Sequence, residues 1–155
     1  MSPALPAPPF TWAAAAGKVR TIEDGWNSRN PANVAQAFTI DSFWRSGVEF
    51  LSGRAAIETF LQRKWASELE YRLIAELWAF GDSRIALRFA SEYHDTNGRW
   101  FRSYGNEHWD VDSDGLIQRR IESFNNHRIE ETDRVLRWPL GRRPDDYPEL
   151  SDFDF

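Results

Sequence analysis

Residues 84–127 read RIALRFASEYHDTNGRWFRSYGNEHWDVDSDGLIQRRIESFNNH, and this stretch decides the fold. Apolar and polar residues alternate over 84–94, 99–110 and 116–127, and a period of two is typical of β-strands. The first break contains Asn97-Gly98, a strong signal for a tight hairpin, and the second is Asp112-Ser113-Asp114-Gly115. The stretch therefore predicts three consecutive antiparallel strands.

Helical periodicity precedes these strands. Apolar residues three and four apart predict helices over Trp12–Ser28 and Arg54–Leu69. Asn30-Pro31 predicts a short helix over 31–38, because Asn caps helix starts and Pro suits the first helical position. Two short extended pieces over 41–51 and a long strand over 71–80 complete the pattern. Helices followed by an antiparallel meander predict an α+β fold, with helices covering one face of a sheet.

Proline positions divide the chain into three parts. Seven of the eight prolines lie before residue 11 or after residue 138, and proline is excluded from helix and sheet interiors. We therefore expect a Pro-rich N-terminal arm over 1–10, a folded domain over 11–138 and an acidic, Pro-containing tail over 139–155. The tail carries five acidic and two basic residues, with Phe153 and Phe155 as apolar contacts.

Composition excludes several classes of function. The 155 residues carry a net charge of −5 and no cysteine, which excludes disulfides, thiol nucleophiles and thiolate metal sites. The three histidines lack metal-ligand spacing, so we expect neither a metal nor a cofactor. The sequence has no stripe of basic residues that could bind nucleic acid. It also has no apolar run long enough to span a membrane and no pattern of a signal peptide. We expect a cytoplasmic protein.

Several short runs of residues are distinctive enough to suggest relatives. They are Glu49-Phe50-Leu51, Gly53-Arg54, Lys64-Trp65, Glu68-Leu69, Tyr71-Arg72-Leu73, Glu76-Leu77-Trp78, Arg84-Ile85-Ala86 and Arg102-Ser103-Tyr104-Gly105-Asn106-Glu107. With the order of elements, they resemble the nuclear transport factor 2-like superfamily, which includes SnoaL-like proteins. They resemble most closely an uncharacterised bacterial subfamily, a domain of unknown function.

The resemblance implies a cone-shaped fold: three N-terminal helices packed in a strongly curved antiparallel sheet. It also implies a small molecule in the cone pocket, and either a SnoaL-like binding protein or a cofactor-free lyase, isomerase or hydrolase. Ketosteroid isomerase machinery is not carried over. In the alignment with ketosteroid isomerase, Ile22 takes the position of the Tyr that binds the oxyanion. The position of its general-base Asp falls near Ser46, and only its second oxyanion carboxyl group has a counterpart here, Glu107.

Turn geometry predicts a charged group in the middle of the sheet. A two-residue loop at Asn97-Gly98 and a turn at Asp112–Gly115 place Glu107 opposite Arg88 on one side and Arg120 on the other. Charges removed from water must be paired. Two interpretations stay open: a structural ion network, or an Arg-flanked pocket in which Glu107 accepts a proton or orients water.

Further residues complete the predicted site. Trp44 and Trp109 are expected as aromatic pocket walls, and Asn126 as a polar group on the last strand. The predicted catalytic residue is Glu107, and the predicted ligand-binding residues are Arg88, Arg120, Glu92, Glu122, Trp44, Trp109 and Asn126. In the alternative function, a non-catalytic binding or dimeric interaction module, Arg88-Glu107-Arg120 is structural.

Two surfaces also carry expectations. The second face of the predicted sheet is rich in large apolar side chains, which a monomer would not leave in water, and superfamily members often pair there. We therefore expect a homodimer through the sheet. We expect the acidic tail to cover the mouth of the cone.

Overall fold

A computed structural model describes residues 5–155. Within these residues the chain forms three α-helices and a six-stranded sheet in the order β2-β1-β6-β5-β4-β3, antiparallel except between β1 and β6. The predicted α+β class is confirmed, and the strong curvature of the sheet stays a prediction. The elements are α1 (Trp12–Ser28), α2 (Pro31–Ala35), β1 (Phe38–Ser46), β2 (Glu49–Ser52), α3 (Arg54–Ser67), β3 (Leu69–Phe80), β4 (Arg84–His94), β5 (Trp100–Val111) and β6 (Ile117–Ile129).

The first two helices begin at capping residues, of which the sequence predicts Asn30. The Thr11 side chain accepts a hydrogen bond from the Ala14 amide, and the Asn30 side chain accepts one from Asn33. The short helix α2 ends before residue 38, because the Ala37 carbonyl already accepts a bond from the Ile117 amide beside the sheet. None of the helices in residues 5–155 is long and apolar enough to cross a membrane.

The main core lies between the helices and one face of the sheet, here called the inner face. Val19, Trp26, Ile57 and Leu61 from the helices are buried there with residues of every long strand. Trp12, the first residue of α1, is 60% exposed. The opposite side of the sheet is called the outer face.

The predicted register of β4 is wrong by one residue. The loop between β4 and β5 spans residues 96–98, because Asp95 and Arg99 still pair and the Asp95 carboxylate accepts bonds from the Asn97 and Arg99 amides. Gly98 adopts φ 77°, as a three-residue hairpin loop requires. A shift of one residue moves every side chain of β4 to the other face.

The predicted register of β6 is wrong by two residues, which leaves its faces unchanged. Asp112 pairs with Leu116, and a bulge after Asp110 leaves Gln118 as an extra residue. Glu107 therefore lies opposite Glu122 instead of Arg120. Pairing of β5 with both neighbours continues without interruption through Gly105.

Residues 134–155, called the tail from here on, extend the predicted tail over 139–155 and pack on the outer face. The expectation that the tail covers the mouth of the cone is therefore wrong. The apolar side chains of the tail pack on Ile74 of β3 and Ala90 of β4 in a second buried cluster. The tail residues buried in this cluster are Leu136, Trp138 and Leu150, with Tyr147, Phe153 and Phe155 packed around them.

Candidate functional site

Side chains of the inner face lie in rows that cross the strands. Residues directly opposite in a sheet share a face, so the register defines four rows. They are the arginine row Ile85-Trp109-Arg120-Trp44, the carboxylate row Leu87-Glu107-Glu122-Ser46, the aromatic row Phe89-Gly105-Phe124 and the hydroxyl row Ser91-Ser103-Asn126.

One guanidinium joins the arginine row to the carboxylate row. Arg120 Nε donates to Glu107 Oε1 at 2.6 Å, and its Nη2 lies 3.0 Å from Glu122 Oε2. The Trp109 indole N–H also donates to Glu107 Oε1, and Ser46 Oγ donates to Glu122 Oε1 at 2.6 Å. The structure therefore brings Glu107, Arg120 and Glu122 together. We call Ser46, Glu107, Trp109, Arg120 and Glu122 the carboxylate–arginine cluster.

Arg120 is held charged inside the protein. Its guanidinium lies 4.3 Å from the Trp44 ring centroid and 5.0 Å from that of Trp26, and the residue is 2% exposed. Burial alone would lower the pKa of Arg120, but the carboxylates of Glu107 and Glu122 raise it above its usual value. Trp44 is buried against this guanidinium and does not line the cavity described next.

A cavity of about 150 Å³ lies between the inner face and α3, beside the cluster. Of the predicted site residues, Glu122 and Asn126 line it, whereas Glu107, Trp109 and Arg120 do not. The lining residues are Ser46, Phe60, Lys64, Glu68, Tyr71, Phe89, Ser91, Tyr93, Ser103, Glu122, Phe124 and Asn126.

A glycine allows the aromatic row to form the cavity wall. A Cβ atom on Gly105 would lie 2.5 Å from the Phe89 ring, so only glycine lets that ring lie against the β5 backbone. Phe124 continues the row on β6, and it is 38% exposed. Apolar ring surface therefore separates the carboxylate row from the hydroxyl row.

Tyr71 lies on the inner face because alternation along β3 places it on the same face as Leu73, which pairs with Ser91 of the hydroxyl row. The start of the strand is irregular, and two residues of β3 lie opposite one of β4 between the Leu69–His94 and Arg72–Glu92 pairs. Burial raises the pKa of the Tyr71 hydroxyl well above its usual value, and nearby carboxylates raise it further. Tyr71 is therefore a neutral phenol that can donate a hydrogen bond.

An ion pair on α3 lies at the rim of the cavity. Lys64 Nζ lies 2.9 Å and 3.0 Å from the two Glu68 carboxylate oxygens, and 4.9 Å from the centre of the Tyr71 ring. The spacing of four residues on a helix favours this pair. In the sequence, Lys64 and Glu68 belong only to the runs that carry the family resemblance. Their place at the cavity depends on how α3 packs over the sheet, which the sequence pattern does not show.

Arg88 and Glu92 do not belong to this cavity. The shifted register of β4 places both on the outer face, so their predicted place beside Glu107 is wrong. Arg88 Nη2 donates to the Phe155 carbonyl at 2.7 Å. Glu92 is fully buried, pairs with Arg102 at 2.8 Å and accepts bonds from the Val135 and Leu136 amides. Both side chains hold the tail.

Comparison with protein families shows where the chain belongs. Residues 8–137 match the family described as "Protein of unknown function (DUF1348)". The chain is a member of this family. Among the residues that the structure describes, no group of three or more His, Asp or Glu side chains is arranged to hold a metal ion.

Solved structures show that this DUF1348 member has the nuclear transport factor 2-like fold, as the resemblance implied. A candidate polyketide cyclase from Xanthomonas campestris pv. campestris is 25% identical, with a TM-score of 0.62 over 72% of this chain and 90% of that one. An NTF2-like protein of unknown function from Exiguobacterium sp. 255-15 is 12% identical, with a TM-score of 0.60 over 72% and 98%.

A third similar structure contains a ligand. It is a Mycobacterium tuberculosis protein in complex with estradiol-17β-hemisuccinate, 14% identical, with a TM-score of 0.61 over 72% of this chain and 94% of that one. The comparison with curated proteins finds no match.

Proposed function

We propose that the cavity binds a small organic molecule and that Glu122 acts on it as the proton acceptor. The observation that carries this proposal is the position of the Glu122 carboxylate, which lines the cavity while Ser46 and Arg120 hold its two oxygens. A carboxylate fixed in this way is ready to accept a proton without first reorganising. The cavity is smaller than the roughly 300–1,000 Å³ typical for drug-sized ligands, so the ligand is small.

The neighbouring groups supply the rest of an acid–base reaction. A proton passes from a substrate C–H, or from a water molecule, to a Glu122 oxygen. The Tyr71 hydroxyl donates a hydrogen bond to the negative charge that then develops on the substrate. Glu107 bonds to Arg120 and does not line the cavity, so we propose it as a positioning residue. The reaction class is a cofactor-free isomerisation, elimination or hydrolysis.

Similar proteins support this proposal at the level of the fold. The candidate polyketide cyclase and the estradiol-hemisuccinate complex share the arrangement of helices on a sheet. A fold carries function only through its site, so this support is by analogy and adds no residue roles.

Turnover by single-site variants tests the proposal. Small epoxides, esters and enolisable ketones are screened by NMR, and the best substrate is then compared across Glu122→Gln, Glu107→Gln and Glu49→Gln. We expect Glu122→Gln to lose about 100-fold or more in kcat, because general acid–base catalysis contributes roughly 10²–10⁴-fold. Glu107→Gln loses less, and the exposed control Glu49→Gln keeps full activity. Full turnover by Glu122→Gln contradicts the catalytic role.

A second candidate function is ligand binding without chemistry. The observation that favours it is that both Glu122 oxygens and Glu107 Oε1 already have partners. In this case the best ligand of the screen binds but is recovered unchanged, and Glu122→Gln alters its affinity alone.

We also propose a homodimer through the part of the outer face that the tail leaves open. Trp78 of β3 is 67% exposed and lies beside Ala86, Arg88 and His108 of the outer face. Exposed aromatic surface of this kind marks protein contacts. Light scattering after size-exclusion chromatography should give twice the 18.1 kDa chain mass, and Trp78→Glu should give a monomer. A monomeric wild type contradicts this proposal.

A further inference from the structure

The charges around the cavity do not balance. Arg120 is shared by two carboxylates, Glu107 and Glu122, whereas Lys64 is already paired with Glu68. Among these groups the carboxylates outnumber the cations by one. Glu107 is only 7% exposed, and an uncompensated charge in such a place is costly unless a partner neutralises it.

The cavity has the walls that a cation requires. Aromatic faces attract cations through the negative charge of their π-systems, and the ammonium of Lys64 already lies over one of these rings, that of Tyr71. The aromatic rings that line the cavity are Phe60, Tyr71, Phe89, Tyr93 and Phe124.

Hydroxyl-bearing side chains, among them Tyr71 and Ser91, line the cavity. A hydroxyl can both donate and accept a hydrogen bond, so these two suit a ligand with polar atoms of its own. They are independent of the excess of carboxylates.

The rows also define the length and polarity of the ligand. Ser103 and Glu107 are four residues apart on β5, which is about 13 Å along a strand. The carboxylate row is at one end, the hydroxyl row is at the other, and the aromatic row lies between them. A molecule that matches this order has a positive group, then a flat apolar part.

We infer that the cavity takes a small amine that carries its ammonium group toward Glu122 and a flat apolar group against the Phe89–Phe124 row. This inference rests on the ligand-binding part of the proposed function and not on the proton transfer. The amine supplies the missing positive charge, and the hydroxyl row bonds any polar atom at its far end.

Three probes of nearly equal shape test the charge. Benzylamine, benzyl alcohol and benzoate are titrated into the full chain at pH 7, and the amide resonances of Ser103 and Phe124 are followed by NMR. We expect benzylamine to bind about tenfold or more tightly than benzyl alcohol, because charge-assisted hydrogen bonds are the stronger ones. Benzoate binds most weakly.

Variants locate the preference. Glu122→Gln should reduce the advantage of benzylamine to within about threefold, and the exposed Glu49→Gln should keep it. If Glu122→Gln does not fold, Lys64→Met tests the same charge effect by removing a positive charge instead of a negative one. It removes a cation from the rim, so benzylamine should bind more tightly and benzyl alcohol should be unchanged.

The outcomes separate this inference from the proposed function. Equal or tighter binding of benzyl alcohol, or tightest binding of benzoate, overturns the amine inference while pocket binding stands. If none of the three probes shifts the Ser103 and Phe124 resonances, both the inference and the proposed ligand binding are overturned.

Discussion

At the scale of single residues, Lys18 shows how one buried charge couples stability to pH. It is 1% exposed on α1, and its Nζ donates to the Gly115 carbonyl in the turn between β5 and β6. Burial lowers the pKa of Lys18 to about 8, and the charge of Asp112 opposes this shift only in part. The folded protein therefore holds this proton less tightly than the unfolded chain, in which a lysine titrates near pH 10.5.

Stability should rise with pH because of this lysine. Between about pH 8 and 9.5 the unfolded state binds one proton more than the folded state, so the free energy of unfolding increases by at most about 1.4 kcal/mol per pH unit. Urea unfolding across this range measures the slope. Lys18→Met should abolish it, and Lys64→Met, at the other lysine of the chain, should retain it. An unchanged slope in Lys18→Met contradicts the assignment.

At the scale of secondary-structure elements, local sequence signals were sufficient to predict the helices and the long strands. Asn30-Pro31 fixes the start of α2, and the alternation over 84–94 gives the bounds of β4 as found. The pairing of β4 with β5 failed because Asn97-Gly98 suits both a two-residue and a three-residue loop. The Asp95 side chain decides between them by bonding to the Asn97 and Arg99 amides, and that choice is not visible in the residue pattern.

The site was predictable only where register errors preserved the face. The error on β6 was two residues, so Arg120, Glu122 and Asn126 remained on the same face as Glu107. The register error on β4 was one residue, which places the side chains of both Arg88 and Glu92 on the outer face, away from Glu107.

Tyr71 was missed as a site residue for a different reason. Alternation already places it on the same face as Leu73, but its place in a cavity depends on how α3 packs over that face, which no local pattern shows. The bulge at Glu70, which adopts φ 51°, is also absent from the residue pattern, and it changes only the pairing that precedes Tyr71.

At the scale of the whole molecule, the sheet is covered on both faces by different parts of the chain. Helices cover the inner face and enclose the cavity, whereas the tail covers part of the outer face. Charged contacts fix the tail at several places. Arg143 reaches Glu23 of α1 at 3.1 Å, and Glu92 of β4 binds the Val135 and Leu136 amides. The tail therefore supports the sheet from behind and leaves the cavity free.

Removing residues 134–155 should separate stability from ligand binding. The deletion exposes Ile74 and Ala90 and removes three buried side chains, Leu136, Trp138 and Leu150, so we expect a loss on the order of 5 kcal/mol and self-association. The ligand affinity of the folded fraction should be unchanged, because the tail does not line the cavity. Urea unfolding and NMR titration of the best ligand measure the two effects.

A milder variant keeps this prediction testable if the shortened chain does not fold. Trp138→Ala should cost about 3–5 kcal/mol, because it empties a buried aromatic site between the tail and the sheet. Its ligand affinity should match that of the full chain. A loss of affinity in Trp138→Ala without a loss of stability would mean that the tail acts on the cavity, as the sequence alone suggested.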